Sequence, residues 1–278
     1  MPSSHLKAVI FDIGGVVVRS PLLAISAFEE ERGLPRNYIN CAIAGRAEHG
    51  AWQRFERGEL ALFPFYDAFS RELSDTRMCN VWYTEYCKAR NIVCPKLPEN
   101  VQIDGRDLFG WMMRESTVCD ENMVEAIRRI RAVNRWRVIA LTNNYSKAEE
   151  TMLRPDAASM PSREDDPGFN VDNERAFLGW TEGATSSKLR ELFDDFCDSS
   201  SLGMRKPEPE FYLLACRRNG VQPTECVFLD DLGINLKVAR QLGMKTIRVP
   251  IGGSLMALRE LELELGIDLT GPRIVNRL

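Results

Sequence analysis

The stretch from Ala8 to Val18, Ala-Val-Ile-Phe-Asp-Ile-Gly-Gly-Val-Val-Val, constrains the fold more than any other part of the chain. Four consecutive apolar residues fit a strand buried on both faces, and such strands belong to parallel sheets covered by helices. Asp12 follows at once, and two glycines let the backbone turn away. The pattern predicts a carboxylate presented at the carboxyl end of a buried strand. Open α/β sheets bind ligands at that edge, because the loops leaving neighbouring strands open a crevice there.

The remaining chain alternates in a way that supplies such a sheet. Residues 19–117 read as helices: one from Pro21 that Gly33 and Pro35 end, one over Arg46–Arg57, one over Leu62–Leu73, one over Val81–Arg90 and one over Asp104–Met113. From Glu121 the pattern changes to helix, then the buried strand Arg137–Leu141 running into Thr142-Asn143. Residues 153–187 hold prolines and an acidic cluster and read as a surface loop or lid. A short strand at Phe196–Asp198, a helix begun by Lys206-Pro207-Glu208-Pro209, a strand Cys226–Leu229 ending in Asp230-Asp231, a helix over Ile234–Leu242, a strand Lys245–Val249 and a helix over Ser254–Leu265 follow. Strands alternating with helices around a helical insertion predict an α/β fold, a doubly wound parallel Rossmann-like sheet. The expected division is a core of residues 1–18 and 118–278, with the loop-like insertion 153–187, and a helical domain of residues 19–117.

Composition narrows the chemistry. The formal net charge of -4 gives no general attraction to nucleic acid or to an anionic membrane, so neither is expected as a partner. The amino-terminal residues lack the apolar core of a signal peptide, and no apolar run approaches the ~20 residues that cross a bilayer, which together predict a cytoplasmic protein. The ending Asn276-Arg277-Leu278 weakly resembles a peroxisomal tripeptide but lacks the small first residue. Eight cysteines are scattered without zinc-knuckle spacing and read as buried free thiols. With only two histidines, His5 and His49, imidazole-based nucleophilic catalysis and multi-histidine metal sites are nearly excluded.

Three strands thus end in polar residues: Asp12, Thr142-Asn143 and Asp230-Asp231. In a parallel sheet these ends share one edge. Carboxylates gathered there repel one another unless a cation is shared, and a hard divalent ion with oxygen ligands, Mg²⁺ above all, would resolve the conflict and attract a phosphate. Lys206, at a predicted helix start, fits as the neighbouring positive charge, although a solvated loop lysine and a helix-capping Asp230 are the plainer readings of each residue alone.

Taken in order, Asp12 after Val-Ile-Phe, Thr142 after Ala-Leu, Lys206-Pro207 and Leu229-Asp230-Asp231 resemble the four motifs of the haloacid dehalogenase-like superfamily. The runs Gly203–Pro209 and Phe228–Leu236 are similar to the phosphatase domains at the amino terminus of soluble epoxide hydrolase and of some multi-domain acyl-CoA dehydrogenases. The resemblance implies a phosphatase of small-molecule phosphates in which Asp12 is the nucleophile that forms an aspartyl-phosphate. Thr142 and Asn143 would hold phosphoryl oxygens, Lys206 would neutralise their charge, and Mg²⁺ would be bound by Asp12, Asp231 and the Gly14 carbonyl, with Asp230 and Asn235 in support. Residues 19–117 would be a cap inserted between the first and second motifs.

One departure from that pattern bears on the substrate. Gly14 stands where phosphatases of this superfamily usually carry a second aspartate, which donates a backbone carbonyl to the metal and a side-chain proton to the leaving group. Gly14 keeps the carbonyl and gives up the acid. The expected substrate is then a phosphate with a good leaving group, an anomeric phosphate or prenyl diphosphate for example, or the acid comes from the cap, with Glu59 and His49 as candidates. A catalytically weak binding or regulatory module is the alternative reading, and a metal-independent dehalogenase the least favoured.

Overall fold

The computed structural model describes residues 5–153 and 170–271. Five strands form one parallel sheet: β1 Ala8–Phe11, β2 Arg137–Thr142, β3 Asp195–Asp198, β4 Cys226–Asp230 and β5 Lys245–Arg248, in the order β3-β2-β1-β4-β5. β1 is central, pairing Phe11 with Ala140 of β2 and with Leu229 of β4. The strand order reverses at β1, so loops leave in opposite directions on its two sides and the crevice opens above Asp12.

Alternate side chains of each strand enter separate cores, as a period of two requires. Val9, Phe11, Val138, Ala140, Val227 and Leu229 pack against Met123, Ile127 and Ile130 of helix Glu121–Val133 and Leu258 and Leu261 of helix Ser254–Leu265. Ala8, Ile10, Ile139, Leu141 and Phe228 face Phe211 and Ala215 of helix Pro209–Arg218 and Leu236 and Ala239 of helix Gly233–Gln241. Each strand is therefore covered on both faces, which explains the unbroken apolar runs.

The chain divides into two compact units, one of residues 1–20, 116–143 and 185–278 and a second of residues 21–115 and 144–184. The sheet belongs to the first. The second is helical: Pro21–Glu31, Tyr38–Gly45, Ala51–Glu56, Leu62–Leu73, Thr76–Arg90, Gly105–Glu115, Ser146–Leu153 and Val171–Leu178. Its core is aromatic, with Phe55 stacked on Phe65 at 3.9 Å between ring centroids and Phe109 edge-on to Phe55 at 5.5 Å. Trp52, Phe65 and Tyr66 are buried in it, and Phe63, Trp82 and Trp111 pack partly buried against it.

Three expectations need correction here. The helix expected over Arg46–Arg57 is broken at Gly50, which is extended (φ -64, ψ 152) between a short 3-10 turn and helix Ala51–Glu56. Helix Tyr38–Gly45 has no counterpart in the sequence reading; Glu29, buried, accepts the amides of Asn37 and Ile39 at its start (2.8 and 2.7 Å). Of the stretch 153–187, expected as a loop of the core, residues 154–169 lie outside the described residues. Its described part, from residue 170, contains helix Val171–Leu178, and residues 144–184 group with the helical unit.

That helix is held by charge as well as by apolar contact. Glu174, with 4% of its side chain exposed, accepts Tyr66 Oη at 2.8 Å and Arg106 Nη2 at 2.7 Å. Arg106 also lies over the Phe177 ring, 3.9 Å from its centroid. Most cysteines are buried as expected, but Cys94 is half-buried and Cys119 exposed. Among the described residues no helix is long and apolar enough to cross a membrane. The tripeptide Asn276-Arg277-Leu278 lies outside the described residues.

Candidate active site at the carboxyl edge of the sheet

Asp12 is the first residue beyond β1, and its amide donates to the Leu229 carbonyl at 2.9 Å. That bond extends the strand pairing by one position and fixes Asp12 beside the end of β4, where Asp230 is the last strand residue and Asp231 the next. One oxygen of each of Asp12, Asp230 and Asp231 lies within 4.8 Å of the others, and all three residues are buried.

Lys206 reaches the same place from the segment before helix Pro209–Arg218. It is 1% exposed, so it is not a solvated loop lysine, and the helix starts three residues later than the sequence pattern suggests. Its Nζ is 2.7 Å from Asp12 Oδ1 and 2.8 Å from Asp230 Oδ2, and it lies 5.5 Å from the centroid of the Phe228 ring. Burial alone would drive the ammonium to lose its proton; Asp12 and Asp230 outweigh it and hold the lysine pKa above its ordinary value.

The three carboxylates differ in how fully they are engaged. Asp230 accepts the Leu232 amide (2.8 Å) and Asn235 Nδ2 (3.1 Å) on Oδ1, and Asn235 Nδ2 (3.0 Å) and Lys206 Nζ on Oδ2. It therefore orders the turn into helix Gly233–Gln241 and anchors the lysine at once. Asp12 takes both the Ile13 amide (2.7 Å) and Lys206 on the single oxygen Oδ1. Asp231 accepts the Ser20 hydroxyl at 3.2 Å on Oδ2. Burial, with Asp230 beside it, pushes the Asp231 carboxyl up to about 6, against a smaller pull from Lys206 and Ser20. Asp12 is raised well above the carboxylate range by burial and by its two acidic neighbours, with Lys206 opposing.

With all three carboxylates ionised, the one ammonium in contact with the cluster among the described residues would leave an excess of two negative charges. That excess, carried on oxygens that converge, suits a hard divalent cation. Asp230, with its lone pairs already engaged, is the poorest donor of the three, which leaves Asp12 and Asp231 as the side chains with capacity to spare.

The residues at the end of β2 take different parts. Thr142, 3% exposed and paired with Asp198 of β3, directs its hydroxyl to the Asn143 carbonyl at 3.3 Å. Asn143 closes a two-point clamp on the Lys206 backbone: its Nδ2 donates to the Lys206 carbonyl at 3.1 Å and its Oδ1 accepts the Lys206 amide at 2.8 Å. One donor and one acceptor position of its side chain thus hold the lysine backbone. Gly14, half-buried, forms an isolated bridge with Val18 in the loop after β1.

Two participants were missed in the sequence. Ser20 reads as the start of a helix, yet its hydroxyl faces Asp231. Tyr212, fully buried on helix Pro209–Arg218, donates to the Asn235 carbonyl at 3.1 Å and so steadies the residue that grips Asp230. Neither position carries a motif, since each is defined by a partner far along the chain. The candidate cap acids are differently placed. Glu59 is exposed and paired with Arg57 and Arg54, and the Arg57 hydrogen bond holds its pKa below the usual carboxylate value. His49 is exposed in the 3-10 turn.

A family model for haloacid dehalogenase-like hydrolases matches residues 6–243. The chain belongs to that family. Over 264 residues this hydrolase is 30% identical to mouse acyl-CoA dehydrogenase family member 10, covering 95% of this chain and 19% of that protein. Over 265 residues it is 29% identical to pig bifunctional epoxide hydrolase 2, covering 95% of this chain and 40% of that protein. The hydrolase thus spans about a fifth and two fifths of the lengths of these relatives. A 99-residue stretch is 35% identical to a chloroplast flavin mononucleotide hydrolase of Arabidopsis thaliana, covering 36% of this chain and 33% of that protein. Among solved structures, a haloacid dehalogenase-family enzyme from Bacteroides thetaiotaomicron in its magnesium complex shares the fold, with a TM-score of 0.51 at 16% identity over 92% of this chain and 99% of that one.

Proposed function

We propose that this hydrolase is a Mg²⁺-dependent phosphatase that cleaves a small organic or lipid-like phosphate through an aspartyl-phosphate on Asp12. The observation that carries the reading is the fully buried Lys206 bridging Asp12 and Asp230, with Asp231 beside them. Such a cluster is costly unless it meets an anion and a cation together. Mg²⁺ would be held by Asp12, Asp231 and the Gly14 carbonyl, and would supply charge neutralisation for the carboxylates and the phosphoryl oxygens.

Within that frame each side chain has a task. A carboxylate oxygen of Asp12 attacks phosphorus, and the bond from phosphorus to the leaving oxygen breaks with its electron pair. Lys206 opposes the burial that raises the Asp12 carboxyl, and offers positive charge to the equatorial oxygens as charge spreads onto them. The Thr142 hydroxyl, which can rotate, donates to one of those oxygens. Asn143 contributes by fixing the Lys206 backbone. Asp230 and Asn235 hold the ammonium in line. Water then attacks phosphorus and breaks its bond to Asp12, restoring the carboxylate and releasing inorganic phosphate.

Gly14 has no proton to give, so the leaving group departs as an anion or takes its proton from water. That favours anomeric phosphates, diphosphates and other substrates with stable leaving groups. The helical unit would be the cap that the resemblance implies. Phosphate release from a panel spanning alkyl, aryl, anomeric and diphosphate esters, with and without Mg²⁺, tests the proposal alongside Asp12→Asn. Release that persists in Asp12→Asn would overturn the mechanism; tight Mg²⁺ and vanadate binding without turnover of any ester would favour the binding-module reading that Gly14 motivates.

A further inference from the structure

We infer that the loop after β1 presets the Asp231 carboxylate through Ser20, making Ser20 a positioning residue for the metal site. The inference rests on the reading of Asp231 as a metal ligand. Asp230 is oriented by four contacts and Asp12 by two, whereas the side chain that donates to Asp231 is Ser20, at 3.2 Å. Without that bond the carboxylate would lose a side-chain donor that sets its orientation, and a cation would have to do more of the ordering on binding.

The loop is built to hold this contact. The Gly15 amide donates to the Val18 carbonyl (2.8 Å), the Val17 and Val18 amides both donate to the Ile13 carbonyl (2.9 Å each), and the Arg19 amide donates to the Val118 carbonyl (2.9 Å). Ser20 at its end is 3% exposed. Gly15 closes the other side: at φ +80 it packs its bare Cα against Asp231, so that a Cβ there would fall 2.2 Å from Oδ2. The oxygen that accepts Ser20 is thus also confined by Gly15. With Cα and Cβ set by the backbone, fixing one oxygen restricts where Cγ can lie, and with it the directions open to Oδ1. Groups that orient a ligand in this way tend to carry about 10- to 100-fold in metal affinity.

Calorimetric titration of Mg²⁺ into the full chain, free of other metals, tests the inference with Ser20→Ala, Ser20→Thr and Asp231→Asn. Ser20→Ala should weaken Mg²⁺ about tenfold, the low end of that range because the donor is one neutral hydroxyl. Ser20→Thr, which keeps the hydroxyl, should return the affinity to within about threefold, and Asp231→Asn should abolish binding. Wild-type affinity in Ser20→Ala together with loss in Asp231→Asn overturns the role of Ser20 and leaves the metal site standing. Equal weakening in the alanine and threonine variants also overturns it. Wild-type affinity in Asp231→Asn removes the metal reading itself, and the inference with it. Circular dichroism establishes that each variant is folded; should Ser20→Ala not be, Ser20→Cys, close in volume and a weak donor, replaces it in the same comparison.

Discussion

Replacing Lys206 by methionine, nearly equal in length and uncharged, isolates what the buried ammonium does. In the metal-free protein it removes the partner of Asp12 at 2.7 Å and of Asp230 at 2.8 Å, in a place with 1% exposure. Removing one side of a buried pair typically costs 3–5 kcal/mol, because the other charge is left uncompensated. Two carboxylates are stranded here, so about 4 kcal/mol is expected at pH 8 with a chelator present. The pH dependence has a definite sign. Asp231 is raised to about 6 and Asp12 is raised well above its ordinary value, so the folded chain holds protons that the unfolded chain has already lost above pH ~4. Metal-free stability accordingly falls as pH rises through that window, and the fall should be steeper in Lys206→Met, where only protonation can relieve the repulsion. At pH 5, below the raised Asp231 carboxyl and with Asp12 shifted in the same direction, protons relieve part of the repulsion and the cost of the substitution should shrink to about 2 kcal/mol or less. Urea denaturation followed by far-ultraviolet circular dichroism, with hydrogen exchange at the β1 and β4 amides to assign the transition to the sheet unit, provides the assay. A cost as large at pH 5 as at pH 8, or one under about 1 kcal/mol at pH 8, would refute the electrostatic account of the cluster.

Two further outcomes concern regions away from the candidate active site. Glu174→Ala should destabilise the helical unit by about 2 kcal/mol, since it strands the buried Tyr66 hydroxyl and unpairs the half-exposed Arg106, and limited proteolysis should then cut near helix Val171–Leu178; unchanged resistance would show that apolar packing alone holds that helix. Asp195 is pushed up by burial but pulled further down by Arg218 (3.0 and 2.7 Å) and Asn219 (2.9 Å), so its contribution exists above its unfolded pKa and is lost as pH falls through the lower folded one. Asp195→Asn should therefore cost about 1 kcal/mol at neutral pH and almost nothing near pH 2, a pattern read from urea midpoints at the two pH values.

What the sequence disclosed and what it withheld divide along a physical line. The sheet was legible because a strand buried on both faces must be apolar throughout, and Ala8–Phe11, Val138–Leu141 and Val227–Leu229 are. Asp12, Thr142, Lys206 and Asp230-Asp231 were legible because polar residues directly after such strands, or beside a proline-started helix, are conspicuous. Partners chosen by tertiary structure were not. Asn143 stands after Thr142, where a phosphate ligand is expected, and nothing local shows that its side chain also meets the Lys206 backbone 63 positions away. Helix Val171–Leu178 is short and carries Asp172, Glu174 and Arg175, so it resembles a polar loop until Arg106 and Tyr66 are seen to receive Glu174. Helix Tyr38–Gly45 draws its amino-terminal acceptor from Glu29, outside the window in which a cap is normally sought. In each case the local signal was weak because the stabilising group came from elsewhere in the chain.

Gly14 offers the sharpest test of how the proposed site chooses substrates. It is absent from the glycines with positive φ, so its backbone conformation does not exclude a side chain, in contrast to Gly15 next to it at φ +80. Gly14→Asp would place a carboxyl two residues beyond the nucleophile, where it can protonate a departing oxygen and later take a proton from water. A positioned acid and base is worth about 10²- to 10⁴-fold, and the benefit grows with the basicity of the leaving group. The wild-type rate should accordingly fall steeply from aryl or anomeric phosphates to alkyl phosphates, and Gly14→Asp should raise kcat/KM for alkyl phosphates by at least about 10²-fold while leaving the best leaving groups within a few-fold. Plotting log kcat/KM against leaving-group pKa for both proteins separates the possibilities. A flat wild-type line would mean that another group already supplies the proton, and Glu59, held ionised by Arg57, would be a poor one. Parallel steep lines would mean that residue 14 does not face the leaving oxygen, and the substrate preference would then need a different cause.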